Sequence, residues 1–311
     1  MNAEHGALNL PSPRTGEERG RGRRMSSALK LVFNLFKLRI GVVIALTAVA
    51  GFAVQPGAGP DAWRLAVLFL AVLVSSAAAG AFNQYWEHDL DRAMRRTRTR
   101  PFVTGKLVRS PLWVLLIAAL AAGATAAAWA TTNGWAAVYT LGGAVVYAVV
   151  YTVWLKRRTS WNIVIGGLAG SFAVLAGAAA VTPGLSPEAI LLAVILFLWT
   201  PPHFWSLAIA FQDDYRAAGV PMLPVVKGDA YAARAILAHA VLLVALSWGL
   251  AAFRPGWIYL AFAVVGGVLF VREALRLVAA PSRQTAMRCF HASLAQLSLL
   301  LVGAMVDAAV L

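Results

Sequence analysis

Charge is scarce in this chain, and acid is scarcer still. Charged residues make up 13% of the 311 positions, against about 25% in an average soluble protein. Asp and Glu together number 13, against 27 Lys and Arg. Cysteine is almost absent: Cys289 stands alone, which excludes an internal disulfide framework and a cysteine-built metal site. No long polar stretch follows the first thirty-odd residues, so a separate soluble domain is excluded as well. Residues 1–30 contain no apolar run of the kind a secretory signal needs, and Glu4, Glu17 and Glu18 argue against a transit peptide. A disordered basic arm over 1–34 is the expectation for that segment, with Met25 as an alternative start.

What fills the chain is hydrocarbon, with 60% of residues hydrophobic. The apolar runs recur at about 20 residues, the length of helix that crosses a hydrocarbon core. Nine spans are predicted, near 36–55, 63–88, 111–131, 134–155, 162–181, 187–211, 231–252, 257–278 and 286–310. Turn sequences separate them: Gln55 to Pro60, Thr132-Asn-Gly134, Thr182-Pro-Gly184 and Arg254-Pro-Gly256. The fold class is therefore an all-α polytopic membrane protein, with one intramembrane domain over 35–311.

The net charge of +14 follows from topology and gives no reason to invoke nucleic acid. The loops after spans 2, 4, 6 and 8 carry Arg92 to Arg109, Lys156-Arg157-Arg158, Arg216 with Lys227, and Arg283 with Arg288. The intervening loops hold only Arg64 and Arg254. Basic loops stay in the cytoplasm, so the N-terminus lies inside and, after nine spans, Leu311 lies outside. The composition, rich in Ala and Arg, suits a bacterial gene and hence a bacterial cell membrane. Gly166, Gly167, Gly170 and Gly177 in span 5 are spaced for close helix packing.

Against so little acid, two acidic clusters stand out. Asn83, Glu87 and Asp91 recur every four residues, which on a helix stacks them along one face at steps of about 6 Å. Arg92, Arg95 and Arg96 follow at once. After span 6 come Asp213 and Asp214, on the same side of the membrane by the span count. Carboxylates at the edge of a membrane helix are costly unless partnered, and a hard divalent cation on a phosphate-bearing ligand is the partner such oxygens suit. The same residues also suit a plain helix end with solvated charges and ordinary topology signals. Arginine and lysine of the basic loops (Arg92, Arg95, Arg96, Lys156, Arg157, Arg158) would supply phosphate contacts. Tyr147 and Tyr151, four apart at the end of span 4, fit either interfacial anchors or aromatic faces beside a cation. Pro201 and Pro202 are expected to kink span 6 and free backbone carbonyls at membrane depth, next to His203, an intramembrane histidine.

At these residues the chain resembles the UbiA superfamily of intramembrane prenyltransferases, and within it the branch that farnesylates haem. The resemblance covers about residues 35–305. It rests on Asn83-x3-Glu87-x3-Asp91, on the run Asp89 to Pro101, on Tyr151 to Thr159 with Asn162 to Gly167, and on Asp214-Tyr215 with Ala218 to Gly228. Two positions depart from the pattern. Ala217 and Ala218 leave only the adjacent pair Asp213-Asp214 of the second acidic motif, and Lys37-Leu38-Arg39 replaces a Lys-Pro-Arg. The resemblance implies a helical bundle with a central cavity opening toward the cytoplasm. It implies transfer of a farnesyl group from farnesyl diphosphate to a vinyl group of haem b, with Mg²⁺ as cofactor and haem O as product. It further implies that Asn83, Glu87, Asp91 and Asp214 are catalytic and, with Asp213, hold the metal. The six basic residues would bind diphosphate and Tyr147 and Tyr151 would flank the carbocation; His203 is a candidate haem-iron ligand on its depth and polarity alone. A haem A synthase or an oxidase assembly factor is the implied protein partner. A related enzyme with an aromatic acid or chlorin as acceptor, and a transporter or assembly scaffold, are the rival readings.

Overall fold

The computed structural model describes residues 28–57, 61–253 and 256–310. The expectations for residues 1–27, for parts of the turns at 58–60 and 254–255, and for Leu311 lie outside the described residues. Among the described residues every regular element is helical.

Helix α1 (Ala28–Leu35) meets α2 (Leu38–Val54) at a 50° bend, so the first apolar run is a bent pair. Residues 28–34, expected as part of a disordered arm, are therefore helical. Then come α3 (Ala62–Trp86), α4 (His88–Ala93), α5 (Pro111–Thr131) and α6 (Gly134–Val145), which continues as a π-helical segment, Val146–Leu155. A short α7 (Asn162–Gly166) leads into α8 (Leu168–Val181), and α9 (Pro187–Ala210) is followed by the short α10 (Gln212–Ala217) and α11 (Leu223–Lys227). Three long helices complete the described chain: α12 (Asp229–Leu250), α13 (Trp257–Ala279) and α14 (Arg283–Val310). Eight helices, or nine with the bent first pair, are long and apolar enough to cross a membrane, in keeping with the nine spans expected.

Local chemistry sets the helix starts. Asp61 accepts from the Trp63 amide, Asn133 accepts from those of Trp135 and Ala136, and Ser186 accepts from that of Ala189 ahead of Pro187 at the first turn. Small residues then let backbones approach. A side chain at Gly177 would collide with the Ala48 carbonyl and one at Gly51 with the Val174 carbonyl, so α2 and α8 pack backbone to backbone. Gly170, expected to share that role, faces open space instead.

Helix α9 runs unbroken through both prolines, because Trp199 to His203 and Trp205 to Ala210 are buried and neighbouring helices hold the segment in place. The carbonyls left without an N–H partner are those of Phe197 and Leu198, four residues back, and one turn further on the Ser206 hydroxyl donates to the Pro202 carbonyl at 2.7 Å.

Candidate active site

Helix α3 ends at Trp86, yet the acidic row continues past its end. The Glu87 amide donates to the Asn83 carbonyl at 3.0 Å and the Asp91 amide to the Glu87 carbonyl at 2.8 Å. This keeps the four-residue spacing through the junction with α4, and Asn83, Glu87 and Asp91 are all buried.

Each of these side chains is held by a cation. Lys156 Nζ lies 2.6 Å from both oxygens of Glu87. Arg100 donates to both oxygens of Asp91 through one nitrogen, at 2.8 and 2.6 Å. Lys37 Nζ donates to Asn83 Oδ1 at 2.6 Å and to the Tyr147 hydroxyl at 3.1 Å. Asn83 Nδ2 in turn donates to Thr152 Oγ1 at 3.1 Å. Asp214 joins from α10: it is 8% exposed, and its Oδ2 accepts from the Arg96 amide at 3.3 Å. The two acidic clusters thus share one end of the bundle. Burial pushes the Asp91 carboxyl above its ordinary range, with Arg100 opposing the shift. Burial acts on Glu87 in the same direction, but the Lys156 ammonium overcomes it and leaves that carboxyl below its ordinary range.

The π-helical segment explains how Lys156 reaches this cluster. Tyr147 and Lys156 are nine residues apart, two and a half turns of an α-helix, and so would face opposite sides. In the wider i→i+5 winding they are about two turns apart and share a face. The Lys156 amide donates to the Tyr151 carbonyl at 2.9 Å, and the Thr152 hydroxyl donates to the Tyr147 carbonyl at 2.8 Å, five residues back in each case. Tyr147 and Tyr151 stack with centroids 5.7 Å apart, and Lys37 and Lys156 lie 5.6 and 5.7 Å from their respective ring centres. A side chain at Gly166 would crowd the Tyr151 ring, so this glycine makes room for it.

Lys37 is placed by strain. It is the only non-glycine with positive φ among the described residues (φ 49°, ψ 42°), a conformation that costs about 1–2 kcal/mol. Gln84 holds the bend beside it by donating to the Asn34 and Leu35 carbonyls at 2.8 and 2.9 Å. Strain retained in this way points to use.

Other expected residues lie apart from this cluster. The Asp213 side chain is 94% exposed and pairs with Arg216 at 3.1 Å, so only Asp214 of the adjacent pair turns inward. Arg92, Arg95, Arg96, Arg157 and Arg158 are exposed. His203 sits about 10 Å deeper along α9, seven residues before its end. Its ring is stacked between Trp199 and Phe290, 4.3 and 4.4 Å from their centroids, and its Nδ1 is 2.8 Å from Ser293 Oγ. Sequence reasoning missed Lys37, Arg100 and Thr152. The departure at Lys37-Leu38-Arg39 was the only signal for the first, and Arg100 was hidden in a run of arginines.

The donor set fits Mg²⁺. The oxygens are hard, and cationic nitrogens already stand at Asn83, Glu87 and Asp91. Among the described residues no three acidic, His or Cys side chains converge to hold an ion by themselves.

Buried, paired acids and bases at one end of a membrane-spanning bundle, with stacked tyrosines beside them, mark a functional site of an intramembrane protein. The chain belongs to the UbiA prenyltransferase family, whose model matches residues 44–300. It is 56% identical over 283 residues to Protoheme IX farnesyltransferase 2 of Paramagnetospirillum magneticum, covering 91% of this chain and 98% of that protein. Its fold matches a structure described for digeranylgeranylglyceryl phosphate synthase (TM-score 0.74, 18% identity, 91% of this chain and 99% of that one). It also matches a UbiA homolog from Archaeoglobus fulgidus bound to DMAPP and Mg²⁺ (TM-score 0.65, 17% identity, 90% and 99%).

Proposed function

We propose that this protein transfers a farnesyl group from farnesyl diphosphate to a vinyl group of protohaem IX, with addition of water, giving haem O and diphosphate. The observation that carries the chemistry is the buried cluster of Glu87–Lys156, Asp91–Arg100 and Asn83–Lys37 pairs. The named relative supports the acceptor.

Asn83, Glu87, Asp91 and Asp214 would hold Mg²⁺, which supplies Lewis-acid stabilisation of a leaving diphosphate. Lys156 and Arg100 place fixed positive charge where the diphosphate leaves, and this favours ionisation of the carbon–oxygen bond. Tyr147 and Tyr151 offer stacked aromatic faces to the allylic cation. The terminal vinyl carbon of haem attacks that cation, and water adds to the neighbouring carbon with loss of a proton. Apolar packing around the tyrosines keeps water from the first cation until the new bond has formed. The exposed arginines Arg92, Arg95, Arg96, Arg157 and Arg158 form a positive rim that attracts anionic substrate.

His203 is a haem contact in this reading: Ser293 fixes its Nδ1 and sets the ring orientation, as an outer partner does for a metal-binding histidine. If so, His203→Ala will alter the absorption spectrum of added haem b, and an unchanged spectrum rules the contact out. The membrane is a bacterial cell membrane, with the active-site end and N-terminus cytoplasmic and the C-terminus outside. A haem A synthase or an oxidase assembly factor would receive the product.

The test is incubation of purified protein with haem b, farnesyl diphosphate and Mg²⁺, followed by mass spectrometry of extracted haem. The expected product is heavier than haem b by one farnesyl group and one hydroxyl, with no atom lost from the haem, and it is absent with Glu87→Ala. Diphosphate release with haem b untouched would mean another acceptor. No diphosphate release from folded protein would leave a transporter or scaffold.

A further inference from the structure

On α13, which carries none of the residues of the cluster above, two arginines share one buried carboxylate. Glu273 Oε1 accepts from Arg272 Nε and Nη2 at 3.3 and 3.1 Å and from Arg276 Nη1 at 2.6 Å. The Glu273 side chain is 7% exposed, whereas those of Arg272 and Arg276 are 57% and 50% exposed. Arginines that serve only as topology signals need no such partner, and burying a carboxylate is costly. What the carboxylate supplies is order. It fixes two guanidiniums, four residues apart on one helix face, and leaves their other N–H groups at the surface. Two guanidiniums against one carboxylate keep a single net positive charge there.

Arg272 also lines a groove of about 390 Å³ together with Val264, Val265, Val268 and Leu269. Trp257, 83% exposed at the start of α13, marks one membrane interface. At 1.5 Å per residue, Arg272 lies about 22 Å and Arg276 about 28 Å along the helix from that tryptophan, against a hydrocarbon thickness of about 30 Å. The pair therefore stands at the other interface, within reach of headgroup phosphates, and the groove runs inward from it along about 12 Å of helix. The up-and-down order of the long helices puts this interface at the end of the bundle that holds Asp214. We propose that Arg272, Arg276 and the groove bind one anionic phospholipid of that leaflet, with its phosphodiester on the guanidiniums and an acyl chain along Val264 to Leu269. Guanidiniums suit phosphate oxygens in paired contacts. Their single net charge matches the single charge of a phosphodiester and is too small for the diphosphate of a prenyl substrate. The site is separate from the reaction proposed above and does not depend on it.

The experiment is native mass spectrometry of the delipidated full-length protein, titrated in detergent with phosphatidylglycerol or with phosphatidylcholine of the same acyl chains. Wild type is expected to take up one phosphatidylglycerol at least about 5-fold more tightly than phosphatidylcholine, the effect of one net positive charge beside an anionic headgroup. The triple variant Arg272→Gln/Glu273→Gln/Arg276→Gln strands no charge, and its preference should fall to within about 2-fold. Val268→Trp fills the groove and touches no charge, so it should weaken both lipids by about 3-fold or more and keep the preference. Arg288→Gln removes an exposed arginine from the neighbouring α14 and should behave as wild type. Equal binding of the two lipids by wild type overturns the proposal. So does a triple variant that keeps the preference, or an Arg288→Gln variant that loses it to the same extent. Unchanged affinities in Val268→Trp overturn the groove as the seat of the acyl chain. Displacement of phosphatidylglycerol, one for one, by a non-hydrolysable farnesyl diphosphate analogue overturns the phospholipid as occupant and gives the site to the prenyl substrate.

Discussion

Replacing Lys156 by Met is expected to cost more in folding stability than any loss of packing would explain. The ammonium sits 2.6 Å from both oxygens of Glu87, and the Glu87 side chain is 3% exposed. Met fills nearly the same volume, so the cavity contribution is small. What remains is a buried carboxylate without its partner, and breaking such a pair from one side costs about 3–5 kcal/mol. Glu87→Gln removes the charge from the other side and strands the ammonium, at a similar cost. The double variant strands neither charge and should lie within about 2 kcal/mol of wild type, so single costs of about 3–5 kcal/mol each give a coupling energy of at least about 4 kcal/mol, beyond the usual range for contacting pairs. Unfolding in mixed micelles with rising denaturing detergent, followed through the fluorescence of the 11 tryptophans, measures all four proteins. Additive single effects, with coupling below about 0.5 kcal/mol, would refute the claim that this pair is buried and mutually dependent. Activity should be lost in all three variants, so stability and catalysis separate in the double variant.

Three further outcomes follow from the same geometry. Arg100→Gln, which removes the guanidinium on Asp91, should lower kcat/KM by at least about 100-fold, as removal of a charge-stabilising donor does, whereas Arg157→Gln at the exposed rim should change it by less than about 3-fold; steady-state kinetics compares them. Gly177→Val should destabilise the bundle by more than about 3 kcal/mol, because the new side chain meets the Ala48 backbone and no rotamer relieves it; Gly170→Val, facing open space, is the control in the same unfolding assay. The depressed Glu87 carboxyl implies a pH dependence: its contribution is complete above the ordinary value of 4.5 and is lost as pH falls through the lower folded value. Stability should therefore drop below about pH 4.5, and drop less steeply in Glu87→Gln.

The spans were legible because a membrane imposes a length and an apolar composition on every helix that crosses it, and those leave a linear trace. The acidic row was legible too, since a four-residue period survives folding whenever the helix continues, as it does from Asn83 through Asp91. Choosing among like residues was not legible. Among the arginines from Arg92 to Arg100, only Arg100 reaches a buried carboxylate, and of Asp213 and Asp214 only the second turns inward.

Composition and period by themselves determined the class of fold and the row Asn83, Glu87 and Asp91 along one helix face. Three decisions belonged to tertiary structure alone. The change to π-helical winding at Val146 turns Lys156 toward Glu87. The left-handed bend at Lys37, held by Gln84, aims an ammonium at Asn83. Burial of α9 keeps it whole across two prolines. In each case local preference pointed elsewhere, and contacts between residues tens of positions apart outweighed it.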